Sequence, residues 1–275
     1  MKKFFAAVLF AAVFAGAAFA APLDAFKGQK GKIDIAGGTA HIPVMKEAAK
    51  RIMTVNSDIR ITVAGGGSGV GVKQVGEGLV EIGNTGRPLK EPEIQKYGLV
   101  SFPFAIDGVA VVVNPANKIS ELSFERLIDI FTGKITDWKE VGGEAGAINL
   151  YVREDGSGTR EVFTDKAIKK AVVSAKANVV NSNGAMKTAV GKDKRAIGYV
   201  GIGHIDKTVK APKLAGMTAT QENAASGKYT VVRDLFMNTK GKPSGLTALF
   251  IDYIYTPEGA QIIKDSGYIP VARKK

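Results

Sequence analysis

Cysteine is absent from the 275 residues, histidine occurs twice and tryptophan once. Without cysteine there is no disulfide framework, no thiol nucleophile and no lipid-bearing residue at an amino-terminal processing site. With His41 and His204 alone, a metal cluster or a Ser-His relay has few parts to draw on, so neither a metal nor a cofactor is expected. His41 sits in a turn near one of the motifs below and reads first as a structural or surface histidine. Long apolar runs are also scarce. Only residues 4–19 form one, behind Lys2 and Lys3 and ahead of Ala18-Phe19-Ala20. That run is shorter than the roughly 20 residues a spanning helix needs, and it ends in a small-x-small pattern. It reads as a secretory leader cleaved after Ala20 and predicts a chain free in a Gram-negative periplasm.

Lysine and arginine number 38 against 26 acidic residues, a formal charge of +12. The basic residues are spread out, with no basic tail, aromatic-interleaved stripe, finger or ribonucleoprotein motif, so a nucleic-acid partner is not expected. Attraction of small anions accounts for the excess better.

No internal repeat and no Pro- or Ser-rich linker is visible. Short β-branched runs alternate with helical patterns, which predicts an α/β fold with largely parallel sheets and a core that needs no staples. Strands are expected at 33–36, 59–64, 80–84, 148–152 and 196–201, with helices at 43–55, 69–76, 123–131, 159–173 and 244–255. Two apolar extended segments, 99–106 and 109–113, are separated by Asp107-Gly108. With no linker, a two-lobed chain has to cross between lobes in extended segments, and 106–113 and 229–237 are the candidates.

The most informative stretch is Arg153-Glu154-Asp155-Gly156-Ser157-Gly158-Thr159-Arg160. It places a forked cation, flexible glycines and two hydroxyls at the start of a helical pattern, where free backbone N–H groups converge on an anion. Gly37-Gly38-Thr39-Ala40-His41 and Gly65-Gly66-Gly67-Ser68-Gly69 repeat the theme between a strand and a helix. One such turn is as easily a helix cap as a ligand site. Three in one open α/β sheet gather at the carboxyl ends of the strands and bring Thr39, Ser68, Ser157 and Thr159 towards one tetrahedral oxyanion. The second turn fits neither the P-loop nor the dinucleotide fingerprint, and Gly-Gly-Ser-Gly-Val lacks the last glycine of a nucleophile elbow.

With these motifs, Ala105-Ile106-Asp107-Gly108, Val113-Asn114-Pro115, Ile130-Phe131-Thr132-Gly133 with Trp138, and Ala196 to Gly201, the chain resembles the periplasmic phosphate-binding proteins of ABC phosphate importers. The resemblance implies a two-lobed type II periplasmic binding fold with residues 21–108 and 233–275 in one lobe and 109–232 in the other. It implies a monomeric receptor, not an enzyme, that captures inorganic phosphate and passes it to the membrane subunits of a permease. Ligand roles fall on Thr39, Ala40 through its backbone, Ser68, Arg153, Ser157, Gly158 and Thr159, with Asp155 holding Arg153 in place. The alternatives are a receptor for sulfate, molybdate or tungstate, and a secreted phosphatase-like protein on the same fold.

The loop Gly83-Asn84-Thr85-Gly86-Arg87-Pro88 departs from the best-known members resembled, which carry an aspartate there that accepts the proton of phosphate. Thr85 with Arg87 is closer to a branch with a Ser-Arg pair, so Arg87 is expected as a second ligand arginine. Asp107 is then the candidate proton acceptor, with Asp155 in reserve and a turn role as the equal alternative. On that reading Asp107→Asn weakens phosphate binding more than sulfate binding.

Overall fold

The computed structural model describes residues 22–273; the leader expected at residues 1–20 lies outside them. From the amino-terminal side the chain forms β1 (Gly31–Gly37), α1 (Ile42–Val55), β2 (Ile59–Gly66), α2 (Gly67–Gly76), β3 (Ile82–Thr85), α3 (Glu91–Tyr97) and β4 (Leu99–Val113). It continues through β5 (Glu121–Leu122), α4 (Phe124–Thr132), β6 (Asn149–Arg153), α5 (Gly158–Val162), β7 (Asn178–Val180), α6 (Asn183–Lys192), β8 (Ala196–Gly201), β9 (Lys213–Leu214) and α7 (Gln221–Ala225). The last elements are β10 (Val232–Lys240), α8 (Gly245–Ile254), α9 (Pro257–Asp265) and β11 (Ile269–Pro270).

Apolar spacing explains the main elements. In α1, Val44, Met45, Ala48, Ala49 and Ile52 are buried on one helical face, and Pro43 occupies the first turn, where its missing N–H costs nothing. In β8 every residue is buried, as expected of a strand covered on both faces.

The strands lie in the order β2-β1-β3-β10-β4-β8-β6-β7, with β11 also on β4, and β5 pairs separately with β9. The pairs β1–β2, β1–β3, β6–β7 and β6–β8 are parallel. In the middle, β10 runs antiparallel to β3 and β4, and β4 antiparallel to β8, so the sheet is mixed rather than largely parallel.

Two large apolar cores hang on this sheet. One is built from residues between Phe26 and Ala105 together with those between Leu235 and Tyr268. The other is drawn from Val109 to Val231, and smaller clusters flank both. The cores exchange at two places, between Ala105 and Val109 and between Val231 and Leu235.

Asp107-Gly108 does not break the chain. β4 is one strand of 15 residues that pairs with β10 through Gly108 and with β8 from Val109 onward. A side chain at 108 would meet Ile202 Cδ1 at 2.2 Å, so the glycine marks close packing within the strand, not a turn. The helix expected over 159–173 is also shorter: α5 ends at Val162 and opens into a π-helical turn, Phe163–Ala167.

Candidate functional site

A small cleft lies where the two cores meet. Its wall from the first core comes from three strand ends. β1 finishes at Gly37, at φ +121°, where a Cβ would strike Asn84 O at 2.4 Å, and the chain then turns so that Thr39, Ala40 and His41 are buried against the cleft. Tyr268 Oη–H donates to Ala40 O (2.7 Å) and fixes this turn from below. β2 ends at Gly66, φ +132°, and α2 begins with Gly67 and Ser68. Gly86, beyond β3, completes this wall.

The opposite wall is Arg153, Ser157, Gly158 and Thr159. Arg153 ends β6 and is 1% exposed. Its guanidinium donates to both oxygens of Glu154, Nε to Oε2 at 2.9 Å and Nη2 to Oε1 at 2.8 Å, which leaves Nη1 facing Thr39 Oγ1 at 3.5 Å. The orienting carboxylate is therefore Glu154 and not Asp155, whose side chain is 97% exposed and pairs with Arg160. The chain bends as it leaves β6, so the adjacent carboxylate folds back onto the fork while the next one points to water.

Seven of the nine residues expected at the site line the cleft: Thr39, Ala40, Ser68, Arg153, Ser157, Gly158 and Thr159. Arg87 does not. Its guanidinium turns away, donating Nη1 and Nη2 to the carboxylate of Glu93 at 2.8 and 2.7 Å, with Nε 3.1 Å from Glu161 Oε2. Two carboxylates outside the cleft outcompete it for the cation. Asp107 does not line the cleft either. It is buried in β4, and its Oδ2 accepts from Nε and Nη2 of Arg233 at 3.0 and 2.7 Å while Oδ1 accepts from Ile202 N–H at 3.2 Å. Burial pushes its carboxyl up from the ordinary value, against the pull of that guanidinium.

Arg233 is the second arginine of the cleft, and composition and spacing did not point to it. It lies in β10 opposite Asp107, with only Nη1 free of the carboxylate, and that group donates to Thr159 Oγ1 at 2.8 Å. The available signal was a lone arginine amid apolar residues in one expected crossover, matched by a lone aspartate in the other. Asn183, at the start of α6, is a second omission. Its N–H and Nδ2 both donate to Thr39 Oγ1, at 3.3 and 3.1 Å, tying the two walls together.

All four hydroxyls are already hydrogen-bond acceptors. Thr39 takes the Asn183 donors, Ser68 takes Gly86 N–H at 3.0 Å, Ser157 takes Arg160 N–H at 3.3 Å and Thr159 takes Arg233. Each hydroxyl keeps its rotatable O–H proton as a donor available to a ligand. His41 is fully buried with Nδ1 on Gly38 O at 3.1 Å, and burial, helped by Arg233, lowers its pKa to about 3. It is a neutral strut of the wall. Among the described residues no three His, Asp or Glu side chains are placed to hold a metal, and no helix is long and apolar enough to cross a membrane.

Comparison with known proteins agrees with this architecture. The family model for the PBP superfamily domain matches residues 25–258. The phosphate-binding protein PstS of Bacillus subtilis is 36% identical over 258 residues, 92% of this chain and 86% of the relative. The chain belongs to this family. PstS of Borreliella burgdorferi is 28% identical, over 87% of this chain and 90% of the relative. Among solved structures, a putative phosphate ABC transporter substrate-binding protein with bound phosphate from Clostridium perfringens superimposes with a TM-score of 0.82 at 34% identity, covering 88% of this chain and all of that one. An ABC-type phosphate transport receptor from Vibrio cholerae gives 0.69 at 34% identity, covering 86% and 99%.

Proposed function

We propose that this protein is an extracytoplasmic solute receptor that captures inorganic phosphate between its two lobes and delivers it to an ABC permease. The observation that carries the reading is the donor set: two buried arginines, each held by its own carboxylate with Nη1 turned inward, and four hydroxyls whose protons are available to donate. Such a set compensates a desolvated oxyanion by charge-assisted hydrogen bonds from both lobes, so the ligand itself links the walls in the hinge-closure mode. The names of the relatives above support phosphate as the anion.

The same bonding supports a receptor and not a catalyst. A nucleophilic hydroxyl needs a base to take its proton, and here the hydrogen bonds each hydroxyl accepts come from N–H donors, while His41 directs Nδ1 to Gly38 O. The apolar run at 4–19 supports export and processing after Ala20, and the receptor is proposed to act in the periplasm as a monomer. Titration calorimetry of the purified mature chain with phosphate is expected to give one site per chain and no turnover of a chromogenic phosphate ester. Absence of heat with phosphate, or ester turnover lost on changing a cleft residue, would reject the assignment.

A further inference from the structure

We propose that Asn183 is a positioning residue for closure: it grips the Thr39 hydroxyl from the opposite wall, so that the meeting of the walls and the bond from Thr39 to the anion form together. The proposal rests on the reading of the cleft as an oxyanion site and adds a residue that does not itself line the cleft.

The four cleft hydroxyls differ in where their donors come from. Ser68 accepts from Gly86 N–H and Ser157 from Arg160 N–H, each from its own side of the cleft, while Thr159 accepts from Arg233 of β10. Thr39 takes its donors from across the cleft: Asn183 N–H at 3.3 Å and Asn183 Nδ2 at 3.1 Å, with Arg153 Nη1 at 3.5 Å. A hydroxyl oxygen has two lone pairs, and the two Asn183 donors match them. What Thr39 keeps is its proton, and accepting two N–H groups polarises that O–H into a better donor for a ligand.

Asn183 is held ready on its own side. It is the first residue of α6 and fully buried, and at that position its backbone N–H has no partner within the helix. Ser182 caps the turn by accepting Ala185 N–H at 2.9 Å, and Asn183 Oδ1 accepts Gly201 N–H at 3.2 Å at the end of β8. Because Gly201 N–H can only donate, it fixes the oxygen end of the amide and turns Nδ2 towards Thr39. Further along the helix, Met186 and Val190 are buried with Ala196 and Val200 of β8, which anchors α6 to that strand. Both donors are therefore ordered before the walls meet, and little side-chain entropy is lost when they engage. Opening returns them and Thr39 to water, so the contact favours closure only by the net worth of a neutral hydrogen bond.

The test is a double-mutant cycle on the mature chain with inorganic phosphate as the probe, read by calorimetry and stopped-flow. Asn183→Ala keeps the backbone N–H and removes Nδ2; it is expected to weaken binding by about threefold to tenfold, all of it as faster release, because encounter precedes the meeting of the walls. Placed on Thr39→Val the same substitution should cost nothing further, and on Thr39→Ser, which keeps the hydroxyl, its full effect should return. Thermal unfolding without phosphate records separately what Gly201 N–H loses with its acceptor, a cost common to every Thr39 background. Should the alanine variant fail to fold, Asn183→Asp retains an oxygen for Gly201 N–H and presents an acceptor to Thr39; its added charge is shared by both arms of the cycle, and it should weaken binding more on Thr39 than on Thr39→Val. Unchanged release from Asn183→Ala, an equal loss of affinity on Thr39 and Thr39→Val, or a change confined to the association rate would overturn the proposal and leave the receptor reading standing. If the parent chain binds no phosphate, the receptor reading itself falls.

Discussion

Changing Asp107 to Asn separates two accounts of how this cleft handles its ligand. If Asp107 met the anion as a proton acceptor, the variant would lose phosphate selectively. In the structure it instead pins Arg233, with Oδ2 shared by two guanidinium nitrogens and Oδ1 on Ile202 N–H. An asparagine can offer its oxygen either to the guanidinium or to Ile202 N–H and must turn an N–H towards the other. Arg233 and Asp107 have side-chain exposures of 3% and 0%, so the charge left behind is desolvated. Breaking a buried pair in this way costs about 3–5 kcal/mol, which in a domain of this size lowers the melting temperature by about 6–20 °C. Once the guanidinium is loosened, the anion also loses a charge-assisted bond of about 1.5–3 kcal/mol, a fall in affinity of roughly tenfold to a hundredfold. Calorimetry with both anions, paired with thermal unfolding, reads the two effects. The expected outcome is a lower melting temperature with phosphate and sulfate weakened by the same factor. A loss confined to phosphate with unchanged stability would refute the reasoning and restore Asp107 as a direct acceptor.

Gly86→Ala is expected to push Arg233 off Asp107 and weaken anion binding by at least tenfold with the fold intact, as read by calorimetry and circular dichroism; unchanged affinity would mean the guanidinium relaxes freely. Glu161→Gln removes the ion pair that joins Arg87, in the loop after β3, to the helix carrying Thr159. Because Glu161 is 37% exposed the pair is worth only about 1 kcal/mol, so stopped-flow release should quicken by about fivefold with the association rate unchanged. Stability should decline on acidification from about pH 6.5. There the unfolded chain protonates two imidazoles that the folded chain keeps neutral, and the loss continues to about 4 for His204 and about 3 for His41, at about 1.4 kcal/mol per unit for each. Urea unfolding of His204→Asn across that window should show a shallower slope than the parent; an identical slope would mean His204 titrates normally.

The parts of the site that were legible are those encoded locally. Glycines at strand ends, followed by a hydroxyl residue and a helical pattern, state their own geometry, and the turns at Thr39, Ser68 and Ser157 fall on the cleft. The expected crossovers at 106–113 and 229–237 overlap the places where the two cores exchange, and an apolar extended segment in a chain without linkers has few other places to go. What was not legible depends on contacts distant in sequence. Arg87 and Arg233 are alike as residues, and only the positions of Glu93, Glu161 and Asp107 decide which one faces the anion. Asn183 joins Thr39 across 144 positions, a pairing no spacing rule reaches. Glu154 displaced Asp155 as the orienter because of how the chain bends after β6, a detail finer than the motif. Asp107-Gly108 looked like a turn from its residue types, yet packing against Ile202 and pairing with Arg233 hold it in the strand.

That strand explains why the second arginine comes from a crossover and not from either wall. Arg233 and Asp107 are register partners in β10 and β4, at the point where both strands leave one core for the other. Their pairing lies within the connection, so rotation of the lobes about it need not break the contact between guanidinium and carboxylate. Gly86 approaches this fixed cation from one core and Thr159 from the other, and Nη1, which donates to Thr159 Oγ1, marks where they meet. A ligand cation mounted this way is ordered before closure. The entropy of fixing a long side chain, about 2 kcal/mol for arginine, is then spent in folding and not in binding. The carboxylate that makes this possible does not itself line the cleft. The arrangement thus supplies a preorganised charge where the two cores meet.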